Sequence, residues 1–294
     1  MTQSEIECFL AICQHKTVRR AAESLYITQP SLSIRLKTLE KELGGTLFDR
    51  TKGSREMQLT DAGLEFYQLA VQYESLIRQM QQVFHKEAAK LRVSSLDSLD
   101  TFLLPQVYDR FLQCCPHIHL EIQDMEPKPA IQSILAGTTD IAFTTGTHAH
   151  QALQQIPVFA EPMLIICSNT FPIREPVTPE QLPPGQEIFI EWSSEFTHWH
   201  QQTLGTHPKL NISIMNHLQQ FMEKGDCWSI VPVSVAIGLQ HRCDIRQARA
   251  AFSLPRREIS IITAITNTKT DAINAFCSCL SETVAEHPEL DALV

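Results

Sequence analysis

Apolar residues fall in three regimes along the 294 positions. In residues 18–40, VRRAAESLYITQPSLSIRLKTLE, their spacing predicts two short helices hinged by a tight turn. Ala21, Ala22 and Leu25 share one face of the first helix, and the small alanines let a second helix cross closely. Tyr26 to Thr28 make the turn. Thr28 can cap the second helix, Pro30 fits its first turn, and Leu32, Leu36 and Leu39 form its buried stripe. This is a helix-turn-helix pattern, although two amphipathic helices that only pack on each other would share it. The opposite face presents Gln29, Ser31, Ser33, Arg35 and Lys37, which can donate to phosphates or base edges in a major groove. Leu43-Gly44-Gly45 supplies a glycine stop, and Leu47 and Phe48 return to the core. Arg50 to Arg55 reads as a basic hairpin, or wing, after which Thr60 caps a long helix.

In that helix Ala62, Phe66, Leu69, Tyr73, Leu76, Met80 and Val83 alternate at spacings of four and three. The seam runs about three heptads, roughly 30 Å of helix, enough to pair with the same helix of a second subunit. Phe66, Leu69, Tyr73, Leu76, Met80 and Val83 are the expected dimer contacts; packing on the helix's own domain is the competing arrangement.

After a polar stretch, His85 to Lys90, short apolar runs alternate with amphipathic ones. Strands are predicted at Leu91 to Ser95, Ile118 to Ile122 and Ile141 to Phe143, and helices at Thr101 to Leu112 and Ala130 to Leu135. A second series has Met163 to Cys167, Ile188 to Ile190, a helix around Glu195 to Leu204, Asn211 to Met215 and Leu218 to Glu223. The tail adds the strand Ile259 to Ile265 and the helix Asp271 to Glu286. Such alternation argues for a parallel sheet flanked by helices.

The chain resembles the LysR-type transcriptional regulators. The resemblance rests on Ala21-Ala22, Thr28-Gln29-Pro30-Ser31-Leu32-Ser33, Leu39-Glu40, Leu43-Gly44, Leu47-Phe48-Asp49-Arg50 and Leu59-Thr60-Asp61-Ala62-Gly63, in order and without gaps. It continues through Phe102-Leu103-Leu104-Pro105, Leu135 to Ala142 and Ile230-Val231-Pro232. The resemblance implies an α/β chain: a winged helix-turn-helix in residues 1–60, a dimerisation helix in 61–87 and an effector domain in 88–294. The last would have two lobes of the periplasmic-binding-protein kind. Lobe I would span about 88–160 and 266–294 and lobe II about 161–265, with crossings near Phe159 to Pro162 and Thr263 to Asn267. Ile34 and Arg35 depart from many relatives, and Ile34 could touch a thymine methyl group. Gln29, Pro30, Ser33 and Arg35 are expected at the bases, and Thr28, Ser31, Lys37, Arg50, Lys52 and Arg55 at the phosphates.

An effector would bind between the lobes, where loops at strand ends collect helix amino termini. Candidate contacts are Ser95, Asp97 and Ser98; Thr144, Thr145 and Gly146; Asn216 and His217; and the aromatic segment containing Trp192 and Phe196. Capping, turn formation and core packing explain the same residues. Asp97 argues against a purely acidic effector. A small-molecule metabolite, a double-stranded operator with dyad symmetry and a second or fourth copy of the chain are the expected partners, with RNA polymerase as a further one.

Composition narrows the classes. The net charge is -9, yet residues 1–60 carry nine Lys and Arg against seven Asp and Glu, leaving -11 for the rest. A mildly basic head on an acidic body suits selective DNA binding rather than coating. Nine cysteines with neither export signal nor membrane span predict reduced thiols in a cytoplasmic protein. A redox-sensing regulator of the same architecture is the alternative function, with a non-catalytic solute-binding module behind it. The pairs Cys114/Cys115 and Cys277/Cys279 give redox sensing little support by spacing. His117, His119 and Glu121, and His198, His200 and His207, form no familiar metal set, and no metal or other cofactor is expected. The sequence holds no nucleophile elbow, phosphate loop or H-E-x-x-H, so no catalytic residue is expected.

Overall fold

The computed structural model describes residues 1–49, 57–82, 90–205 and 208–293. The chain forms two compact units, Met1–Lys86 and Glu87–Val294. The first contains α1 (Gln3–His15), α2 (Val18–Ser24), α3 (Gln29–Leu43), the short strands β1 (Phe48–Asp49) and β2 (Gln58–Leu59), and α4 (Asp61–Gln82). Hydroxyl caps begin the helices as the sequence predicts. Thr28 Oγ1 accepts from the Ser31 amide at 3.3 Å, and Thr60 Oγ1 from the Gly63 amide at 2.9 Å. Tyr26, at φ 54°, turns the chain between α2 and α3. Gly44, at φ 73°, ends α3 in the left-handed region that glycine adopts without strain.

Phe9, Ile12, Leu32, Leu39 and Phe48 are fully buried in the head. The Phe9 ring lies 5.0 Å from that of Phe66, so the first turns of α4 cover this same core. This divides the expected dimer seam. Phe66 and Tyr73 pack on their own head, whereas Leu69, Leu76 and Met80 are exposed. The reason is periodicity: Phe66, Ala70 and Tyr73 form one stripe at helical spacing, and the head claims it. Val83 and the wing cations Arg50, Lys52 and Arg55 lie outside the described residues.

The second unit begins with β3 (Lys90–Ser95), α5 (Asp97–Phe102), α6 (Leu104–Cys114), β4 (His119–Asp124), α7 (Pro127–Leu135) and β5 (Ile141–Thr145). The 16-residue β6 (Leu153–Ser168) follows, then β7 (Ile188–Phe189), α8 (Ser194–Leu204), β8 (Leu210–Asn211), α9 (Met215–Lys224), β9 (Trp228–Pro232) and α10 (Val233–Gln240). The chain closes with β10 (Ile245–Ala248), β11 (Arg256–Ala264), α11 (Thr270–Ala285) and β12 (Asp291–Ala292). The main sheet has the order β10-β6-β11-β5-β3-β4, with β9 and β12 also pairing with β6. β3 runs parallel to β4 and β5, but β11 is antiparallel to β5 and β6, so the sheet is mixed rather than parallel.

β6 passes through both lobes. Residues 153–162 pair with β11, and residues 163–168 pair with β9 and β10. The second crossing lies at Pro255–Arg256, where the Met163 amide donates to the Pro255 carbonyl at 3.2 Å. This corrects the crossing expected near Thr263 to Asn267. β11 had to join lobe I because Ile259 and Ile261 complete its core beside Leu91, Val93 and Phe143. Lobe II has its own core around Trp228, Ile165, Leu218 and Leu239.

Three local expectations also change. The predicted helix from Thr101 to Leu112 is broken at Leu103, with Pro105 in the first turn of α6. The strand predicted at Ile118 to Ile122 is shifted to β4 (His119–Asp124) at the sheet edge, where Ile122 is 44% exposed. The predicted strand Asn211 to Met215 is only β8 followed by the start of α9.

Candidate nucleic-acid interface and ligand cleft

The buried residues of α3 fix its outward face. With Leu32, Leu36 and Leu39 inward, helical geometry directs Pro30, Ile34, Lys37, Thr38 and Lys41 outward, and all five are exposed. Ile34 is 65% exposed, an unusual solvent position for a branched aliphatic side chain. Gln29 is also exposed, whereas Ser31 and Ser33 lie half-buried on the flanks. Thr28 is occupied as the cap.

Arg35 does not join this face. Its guanidinium donates to Ser4 Oγ and lies 3.9 Å from Cys8 Sγ, tying α3 to α1. Its position one residue before Leu36 places it at the border of the buried stripe, from which a long side chain reaches the neighbouring helix. Thr38, Lys41 and the 97% exposed Tyr26 stand at the surface in addition to the residues expected from sequence. Rotation by 100° per residue from the leucine stripe would have found the first two. Tyr26 read only as a turn residue.

In the second unit, a cavity of about 880 Å³ opens between the lobes. Segments 96–98, 124–129 and 145–148 line it from lobe I, and 189–195 and 211–215 from lobe II, with Arg257 at the crossing. Of the expected contacts, Asp97, Ser98, Thr145, Gly146 and Trp192 line this cleft. Ser95 and Thr144 are wholly buried and lie outside the lining, because both faces of β3 and β5 are covered there: their neighbours Ser94 and Phe143 are wholly buried as well. Phe196 also departs from expectation: its ring packs 6.0 Å from Phe189 and 5.7 Å from Trp199 in the lobe II core. Asn216 and His217 lie on exposed positions of α9, beyond the lining that ends at Met215.

The cleft floor is a connected polar network. Arg257 Nε donates to Glu161 Oε1 at 2.9 Å, and Nη1 donates to Ser98 Oγ at 2.9 Å. The Ser234 amide donates to the other Glu161 oxygen at 3.1 Å. Burying this pair is tolerable because each charge faces an opposite charge and several hydrogen bonds. The guanidinium also lies 5.1 Å from the Trp192 ring centre, and Trp192 Nε1 is held by the Ile230 carbonyl at 2.8 Å. Across the cleft, the Met215 amide donates to Asp97 Oδ2 at 2.6 Å. Burial, followed by the charge of Asp97, pushes the Asp124 carboxyl up. Among the described residues, no three His, Cys, Asp or Glu side chains are arranged to hold a metal ion.

The sequence pattern described as "Bacterial regulatory helix-turn-helix protein, lysR family" matches residues 4–64, and that of the "LysR substrate binding domain" matches residues 85–285. The chain belongs to the LysR family. Among LysR relatives, it is 29% identical over 171 residues to the probable RuBisCO transcriptional regulator of Cyanidioschyzon merolae (strain NIES-3377 / 10D), covering 56% of each chain. It is also 29% identical over 194 residues to the transcriptional regulator YtlI of Bacillus subtilis (strain 168), covering 65% of this chain and 62% of YtlI. These matches span less than two thirds of either relative.

The fold resembles that of a full-length OxyR variant from Pseudomonas aeruginosa, with a TM-score of 0.66, 20% identity and coverage of 95% of this chain and 94% of that one. Full-length CbnR in complex with its target DNA gives a TM-score of 0.61 at 19% identity, covering 96% of this chain and all of that one. At these identities the likeness is one of fold. No helix among the described residues is long and apolar enough to cross a membrane.

Proposed function

We propose that this LysR-family protein is a sequence-specific DNA-binding transcriptional regulator whose operator binding is set by a small molecule in the cleft. The observation that carries this reading is the coexistence, in one chain, of a capped helix with an exposed DNA-sized face and a cavity of about 880 Å³ between two lobes. Gln29, Pro30 and Ile34 are assigned to base edges, and Thr28, Ser31, Ser33 and Lys37 to the sugar-phosphate border. The exposed stripe Leu69, Leu76 and Met80 is assigned to a second copy, so that two heads read a dyad operator. A ligand that binds the closed lobes more tightly than the open ones shifts the population toward closure and so alters the assembly that holds the DNA. RNA polymerase is the partner through which a change in DNA geometry would reach transcription.

The test is selection of duplexes from a random library by the full-length protein, followed by titration on the enriched site and a scrambled version. The expected enriched site has two related half-sites separated by one or more helical turns. Equal affinity for enriched and scrambled duplexes across salt concentrations sinks the reading.

A further inference from the structure

The outward face of α3 narrows the bases it selects, on the reading of that face as the operator contact. A recognition helix meets base edges with its first turns. Among the described residues of α3, the first two turns carry a single cation, Arg35, and its guanidinium is drawn to Ser4 Oγ on α1. The forked donor that most often reads guanine is therefore absent from this stretch of the face. Beside the half-buried Ser31 and Ser33, Gln29 is the exposed polar side chain of these turns, and its amide is complementary to adenine N6 and N7.

What stands at the centre of the face is apolar. Ile34 is 65% exposed, one turn after Pro30, which lacks an amide hydrogen, and one turn before Thr38. The Thr38 hydroxyl donates back to the Ile34 carbonyl at 3.0 Å, so its hydrogen is spent within the helix. Lys37 shares this face from the third turn, with a stem long enough to carry its charge to a phosphate. The head's core is filled by Leu32, Leu36 and Leu39 and does not include Ile34. In a major groove, the base-edge feature that rewards an aliphatic contact is the C5-methyl group of thymine. 5-Methylcytosine places the same methyl at the same carbon. Contact between it and Ile34 removes both apolar surfaces from water.

We propose that Ile34 selects a C5-methylated pyrimidine in each half-site, so that the protein distinguishes thymine from uracil and methylated from unmethylated cytosine. Operator binding then responds to cytosine methylation at that position as well as to base sequence. Gln29 supplies the hydrogen-bonded part of the same readout, at an adenine.

The test starts from the duplex enriched by the full-length protein. Each thymine of the two half-sites is replaced in turn by deoxyuridine, which removes the methyl group and keeps the pairing. At one position or more, the replacement is expected to weaken binding about fourfold, the weight of one methyl group taken out of contact. At that position, 5-methylcytosine paired with guanine is expected to bind about fourfold more tightly than cytosine paired with guanine. Ile34→Ala, at an exposed helix position, is expected to keep the wild-type unfolding midpoint and the affinity for a scrambled duplex, and to erase both differences. Preference for the enriched over the scrambled duplex with no loss at any deoxyuridine position overturns the proposal and leaves the operator reading standing. Methyl discrimination that survives undiminished in Ile34→Ala also overturns it, assigning the contact to another residue. Equal affinity for enriched and scrambled duplexes removes the operator reading, and this proposal with it.

Discussion

At the scale of single residues, burial and partners separate groups that look alike in sequence. Arg35 and Lys37 are both cationic members of α3, yet Arg35 donates to Ser4 and Lys37 is exposed. Lys37→Ala is expected to weaken binding to all duplexes similarly and to flatten the salt dependence by about one counterion. Arg35→Ala is expected instead to lower head stability by about 1 kcal/mol while leaving base preference intact, as denaturant melts and affinity for base-substituted operators would show. An altered base preference without loss of stability would place Arg35 on the DNA after all.

Asp100 offers a titration test. Burial pushes its carboxyl up to about 6, outweighing the hydrogen bond donated by the Tyr108 hydroxyl. A raised carboxyl favours folding while protonated, so its stabilising effect is complete at low pH and is lost as pH rises through about 6. Asp100→Asn is therefore expected to gain stability relative to wild type between pH 4 and 7. A difference that stays constant over that range contradicts this.

At the scale of elements, α4 carries two interfaces on one sequence pattern. Its inner stripe closes the head through Phe66 and Tyr73, and its outer flank leaves Leu69, Leu76 and Met80 exposed. Replacing these three by Gln is expected to reduce the oligomer to a monomer in sedimentation without lowering the helix content measured by circular dichroism. An unchanged sedimentation coefficient would exclude this flank from the subunit contact. The start of α4 is fixed by a close approach. A Cβ at Gly63 would stand 2.1 Å from the Leu47 carbonyl oxygen, against backbone that cannot yield cheaply. Gly63→Ala is expected to destabilise the head by several times the roughly 1 kcal/mol that alanine usually contributes in a helix, with the midpoint of urea unfolding as the measure. In the second unit Gly238 plays a comparable part, since a Cβ there would meet the Phe102 ring at 2.2 Å where α10 crosses α5.

At the scale of the whole molecule, packing brings together residues that the sequence separates. Cys279 and Cys277 on α11 share a core with Cys115 at the end of α6, and Cys114 adjoins Cys279. Burial pushes the Cys279 thiol up to about 11, Cys227 to about 11 and Cys13 to about 12. Thiolate is the reactive form, so these groups are protected near neutral pH, whereas Cys114 is exposed. Alkylation of the native protein at pH 7.5 is expected to modify Cys114 first, with the buried thiols reacting only on unfolding; mass spectrometry of timed samples checks the order. Early modification of Cys279 would show that the α6–α11 contact opens readily.

Local chemistry made the head legible in the sequence. Thr28, Pro30, the leucine stripe and Gly44 encode a capped helix within seventeen neighbouring positions, and the structure retains those interactions. The cleft was legible only in part. Asp97, Ser98, Thr145, Gly146 and Trp192 sit at strand exits or loops that sequence patterning can locate, but Arg257 reaches the same cavity from a distant strand. β6 and α10 were obscured for a different reason: β6 spans two cores, and Val233–Gln240 is apolar around much of its circumference, so neither shows a simple two-sided pattern. The chain by itself determined its family, its helix-turn-helix and the alternation of its regulatory unit, because caps, turns and periodicity act over a few residues. Tertiary structure decided which stripe of α4 stays exposed, where the second crossing falls, that Arg35 faces α1, and which charges meet in the cleft. Those outcomes depend on contacts between residues distant in sequence, whose competition for buried surface and hydrogen bonds is settled only when the chain packs.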